Sequence, residues 1–175
     1  MGIAISKNIV DFGLYTYGKD YYDAAKVLKG QVSSSIPYHI MLALAVECFL
    51  KSIRTEVEWH SRVANKVRHT KREHDHAKIF HKLEVNFPDD AAFLETKYAE
   101  TYYRSFKEDL KLNKDVFSLR RYPYSAKGEI PRMPIPETAE ELLFGMQYKN
   151  DIAVYETQLE DVAEFLHSIL GPYFS

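Results

Sequence analysis

At 175 residues, 46% hydrophobic and 27% charged, the chain has the length and composition of one globular domain over 1–175. A chain of that size buries roughly 70% of its unfolded surface. The formal net charge of −2 excludes a generally basic nucleic-acid binder but leaves room for a local patch. No run approaches the ~20 apolar residues of a membrane span, and no secretory leader pattern opens the chain, so a cytoplasmic protein with no membrane partner is expected.

The first predicted helix covers Asp11 to Gln31, where Leu14, Gly18, Tyr21, Ala25 and Leu28 recur at three- and four-residue steps. Gly30 and the serines Ser33 to Ser35 end it and cap the next one. Helix two is expected from about Pro37 to Val57, with the proline in the first turn, where its missing N–H costs nothing. The segment Ile40 to Arg54 is strongly apolar, and Glu47 is the only charged side chain between His39 and Lys51. Spacings of four and three place Glu47, Lys51 and Arg54 on one helical stripe. A charge in so apolar a helix is costly unless paired, so the stripe is expected to meet a polar site or a basic partner. Cys48, the single cysteine, reads as a small buried hydrophobe.

Trp59 to Glu73 is basic and rich in histidine and is expected to be a partly mobile connection. A third helix opens at Asp75, whose carboxylate suits a cap, and closes at Phe87-Pro88. A fourth runs from Asp89 to about Leu112 through Phe93, Leu94, Tyr98, Tyr102 and Phe106. Val116 to Pro136 holds four of the seven prolines and reads as an irregular excursion with one short extended piece at Phe117 to Leu119. Pro136 to Phe144 begins a short helix, and the last helix runs from about Asp151 to Leu170, ended by Gly171-Pro172. The fold class is therefore all-α: an antiparallel four- to five-helix up-and-down bundle with a proline-rich irregular insertion before the last helix.

Charge is uneven along this framework. Lys51 to Lys82 holds nine Lys or Arg against four acids, whereas Pro136 to Glu164 holds eight acids against Lys149 alone. A basic and an acidic region are expected to meet within the fold or across a dimer.

Three short pieces in order carry a family resemblance: Ala43 to Arg54 (ALAVECFLKSIR), His74-Asp75 at the start of a short amphipathic helix, and Arg121-Tyr122-Pro123 after helix four. Together with the tyrosine- and alanine-rich first helix, they make the chain resemble the HEPN-like helical-bundle proteins. That resemblance implies a bundle that forms a homodimer. Many such proteins are metal-independent RNases in prokaryotic toxin–antitoxin or defence settings; others are non-catalytic partners of nucleotidyltransferases or binding modules. The nuclease members carry Arg, four to six residues and His near the start of the last helix. Here that helix has no arginine, and its histidine, His167, lies near its end. The resemblance thus implies a non-catalytic or degenerate module that binds a nucleotide, RNA or a protein, such as a cognate nucleotidyltransferase or antitoxin, in a defence or stress context. The alternative is a metal-independent endoribonuclease with a relocated pair, Arg121 with His74.

Read from the residues, the candidate ligand-binding set is Glu47, Lys51, Arg54, His74, Arg120, Arg121 and Tyr122. Paired guanidiniums clamp phosphate while a tyrosine stacks on a base; the same arginines can instead neutralise Glu47 or the acidic helix. Glu47, Lys51, His74 and Arg121 suit one polar cleft, for acid–base or phosphate chemistry or as a structural ion-pair network. Five of the seven histidines fall between His60 and His81, but without Cys or HExxH spacing no metal site and no cofactor is assigned. His39 and Asp151 are the partners a His-Asp phosphohydrolase reading of His74-Asp75 would need, and nothing in their spacing singles them out.

Overall fold

The computed structural model describes residues 4–31, 35–60, 63–68, 73–120 and 154–174. The architecture is mostly helical. A central, very apolar helix is surrounded by others, and a small antiparallel sheet lies at one end. The all-α expectation holds in its broad form, and the small sheet is an addition to it.

Helix α1 (Phe12–Leu28) starts at Asp11, whose carboxylate accepts the Leu14 N–H at 2.9 Å and so satisfies one of the orphan donors of the first turn. Helix α2 (Ile36–Ser52) carries Pro37 in its first turn. It is apolar on almost every side because α1 and three later helices pack around it. Where α1 crosses it, Gly18 lets the backbone approach the Phe49 ring.

Helix α2 stops at Ser52, five residues short of the expected Val57. The chain turns through Arg54, at φ +56°, and enters a hairpin. Strand β1 (Ala4–Lys7), β2 (Glu56–His60) and β3 (Val63–Arg68) pair antiparallel in that order, with Ala4 opposite Trp59 and Glu56 opposite Arg68. The expected loose connection after Trp59 is thus in part a β-hairpin. Its signal is the run of β-branched and aromatic residues Val57, Trp59, Val63 and Val67, and β2 is flanked by a strand that precedes α1.

Helix α3 (His76–Asn86) begins at Asp75, which accepts the Lys78 N–H at 3.1 Å. The expected fourth helix is two: α4 (Pro88–Tyr102) ends at Tyr103 in the left-handed region, φ +57°, and α5 (Phe106–Leu112) restarts from a Ser105 cap. Residues 117–119, expected to be extended, lie in the short helix α6 (Val116–Arg120), which packs on α2. The last helix, α7 (Glu156–Leu170), leads into a 3₁₀ turn at Gly171–Phe174. The proline-rich stretch beyond Arg120, the short helix expected at 136–144 and the expected start of the last helix at Asp151 lie outside the described residues.

The core is strongly aromatic. Phe80 meets Phe106 edge-on at 5.1 Å, and Tyr98 meets Phe165 likewise at 5.2 Å, joining α3, α4, α5 and α7. Tyr98 is fully buried, as its helical spacing suggested, and its hydroxyl donates to Asp109 at 2.7 Å. Arg104, in the α4–α5 turn, donates to that same carboxylate at 2.8 Å and also to Asp161 of α7. The turn is thereby pinned to the last helix by charge-assisted bonds.

Candidate functional site

Three elements meet beside the middle of α2. Glu47 and Lys51 come from α2 itself, one helical turn apart, and Lys51 donates to Glu47 Oε1 at 2.6 Å. His74 comes from the segment just before the α3 cap, and its Nδ1 lies 2.8 Å from Glu47 Oε2. Phe117 of α6 completes the group, its ring centroid 4.7 Å from that of His74.

Burial separates the roles of these groups. The Glu47 and Lys51 side chains are 9% and 7% exposed, whereas His74 is 43% exposed. A buried pair of this kind holds together because each charge answers the other; removing one partner alone would leave an uncompensated buried charge. Both Glu47 oxygens are engaged, so this carboxylate anchors other groups and is not an open base. The half-exposed His74 ring is the accessible part of the cluster.

The neighbours tune the setting. Glu73 accepts the backbone N–H groups of His74 and Asp75, each at 3.2 Å, which fixes the approach to α3. His76 points the other way, into the core, with Nε2 3.0 Å from the Ala43 carbonyl oxygen and Nδ1 buried without a partner. Burial pushes its imidazole down to about 4, against a smaller opposing pull from Glu47. A neutral ring therefore donates from Nε2–H to Ala43. Burial also pushes the Cys48 thiol up to about 11, with Glu47 adding to the effect, so this cysteine is a packing residue rather than a nucleophile.

Of the residues singled out from sequence, Glu47, Lys51 and His74 come together. Arg54 does not join them. The helix ends before it, and its left-handed backbone turns it to Asp90 of α4, which it grips through Nε at 2.5 Å and Nη2 at 2.8 Å while lying over the Phe87 ring. Arg120 closes α6 in the backbone, and its side chain, with Arg121 and Tyr122, lies outside the described residues. The described histidines of that cluster are dispersed: His60 sits on β2, His76 is buried and His81 pairs with Glu84 at 3.1 Å, while His69 lies outside the described residues. Among the described residues no group of three or more His, Cys, Asp or Glu is placed to hold a metal ion. His39, the partner a phosphohydrolase reading would need, is buried against Glu156 at 2.8 Å, and Asp151 lies outside the described residues.

Phe117 and His76 carried no sequence signal for their roles. Phe117 looked like part of an extended stretch, and His76 is two residues from His74 yet faces the opposite way because the helix begins between them. Among the described residues no helix is long and apolar enough to cross a membrane. Compared with protein-family models, curated proteins and solved structures, the chain matches none of them.

Proposed function

We propose that the chain is a HEPN-like, non-catalytic or degenerate module that binds the phosphate of a nucleotide or RNA through the face bearing His74. One observation carries this reading. The helix containing Glu47 and Lys51, the His74-Asp75 doublet and the helix leading into Arg120 and Arg121 are far apart in sequence, yet the first two join at Glu47 and the third packs beside them. A buried ion pair that positions a half-open imidazole, next to a helix whose end leads into two arginines, suits recognition of an anion. The antiparallel up-and-down bundle, read from the helical pattern and implied by the resemblance, belongs to the same proposal, as do the homodimer and a partner such as a nucleotidyltransferase or antitoxin in prokaryotic defence or stress, which the resemblance implies.

A second reading keeps one specific support. A carboxylate that holds Nδ1 of a histidine leaves Nε2 as a candidate general base, so a metal-independent endoribonuclease using His74 with Arg121 remains the competing proposal. Labelled single-stranded RNA incubated with wild type, His74→Gln and Arg121→Ala, each with and without EDTA, separates the two. Retention of intact RNA, weakened in both variants, is the expected result. Chelator-resistant cleavage lost in the variants would replace the binding reading with the nuclease.

A further inference from the structure

We propose that the cleft between α3, α4 and the start of α5 is a second binding site, which takes a small primary amine on an apolar stem. It shares no residue with the cluster around His74 and does not depend on the phosphate-binding reading.

The cleft encloses about 460 Å³, a size at which small organic ligands are held. Its opening is written in α4. Pro88, Ala91, Ala92 and Glu95 recur at three- and four-residue steps and so share one helical face. Two of the three apolar residues on that face are alanines, too short to fill the gap toward α3. Across the gap, α3 contributes Phe80 and Glu84, one turn apart. Phe80 is fixed in the core by its edge-on contact with Phe106 at 5.1 Å, so the apolar wall is a preformed surface.

Charge selects the ligand. Both Glu84 oxygens take the Lys107 ammonium, at 2.7 and 2.9 Å, and those two charges cancel. Glu95 is used differently: its Oε2 accepts the Lys107 backbone N–H at 3.0 Å. That donor is neutral and leaves the charge of the carboxylate in place. Among the described residues Glu95 enters no ion pair. The lining therefore carries one uncompensated negative charge beside an apolar wall. An ammonium on an apolar stem answers both at once, with the head against Glu95 and the stem along Phe80, Pro88 and the two alanines. A neutral ligand forgoes the charge-assisted bond, an anion is repelled, and a bare inorganic cation leaves the apolar wall in water. The Lys107 side chain, its ammonium on Glu84, shows the same pairing inside the protein.

The probes are n-hexylamine, 1-hexanol and hexanoate, which share one stem and differ only in the head. Their affinities for the full chain would be measured at neutral pH by amide-detected NMR titration. Hexylamine is expected to bind about tenfold more tightly than hexanol, with hexanoate weakest, and to shift amides of α3, α4 and α5. Glu95→Gln keeps an oxygen for the Lys107 N–H and removes only the charge. It is expected to lose about tenfold in hexylamine affinity and to bind hexanol as wild type does. Ala92→Leu, at an exposed position, is expected to fill the cleft and weaken both. Equal affinity for the three probes, or a preference for hexylamine that survives in Glu95→Gln, would overturn the assignment of Glu95 as counter-ion and the amine site with it. Hexylamine that shifts no amide of the cleft, or binds Ala92→Leu unchanged, would overturn the site itself.

Discussion

The side-chain amide of Asn113 takes both backbone groups of Tyr155: its Nδ2 donates to the Tyr155 carbonyl and its Oδ1 accepts the Tyr155 N–H, each at 3.0 Å. Asn113 is buried, just after α5, and Tyr155 immediately precedes α7. The end of α5 and the start of α7 are thus held together by two hydrogen bonds from one side chain. Asn113→Ala is expected to destabilise the fold by ~2–3 kcal/mol, two lost bonds plus the cost of unpaired buried groups. A fall in the urea midpoint at unchanged m-value checks it; no shift would mean the clamp adds nothing.

Gly18 tests the α1–α2 crossing. A Cβ there would lie 2.6 Å from Phe49 Cδ1, in a ring that is fully buried. Gly18→Ala gains ~1 kcal/mol of helix propensity but forces overpacking that typically costs ~1–3 kcal/mol. The expected net result is a lower Tm, restored in part by Phe49→Leu in the double variant. A higher Tm in Gly18→Ala would show that the ring yields freely.

His76 gives the fold a pH dependence of definite sign. Its folded-state value of about 4 lies below its ordinary 6.5, so between those two the unfolded chain binds more protons. Stability is therefore fully present above about pH 6.5 and falls as pH drops toward 4, by up to ~3 kcal/mol from this group. His76→Gln is expected to flatten that portion of the stability–pH curve relative to wild type, measured by denaturant titration at each pH. Parallel curves would remove His76 as the cause.

Arg54 is predicted to matter for stability and not for ligand binding. Its double contact with Asp90 is partly exposed, so Arg54→Ala is expected to cost about 1 kcal/mol. Its affinity for single-stranded RNA should match wild type within twofold. A large loss of binding without loss of stability would return Arg54 to the site.

The half-buried Cys48 thiol offers a quick check on α2. With Cys48 pushed up to about 11 by burial, reaction with a disulfide reagent at pH 8 should be far slower in the folded protein than in denaturant. Equal rates would mean that the fold does not shield the thiol.

What the sequence by itself determined was local. The helical periods of α1, α2 and α7, the cap at Asp75 and the placing of Glu47 and Lys51 on one stripe all follow from interactions between residues three or four positions apart. Such contacts are written into adjacent residues. Tertiary structure alone decided the rest. Strand β2 is paired by β1, which precedes α1 in the chain, and Arg54 turned to Asp90 because the chain left the helix for β2. Asn113 found Tyr155 across 42 positions. His74 met Glu47 while His76 went to the core because one helix start fell between them. Each depends on bringing together groups distant in sequence, and that proximity is set by how the apolar faces pack, which no local period encodes.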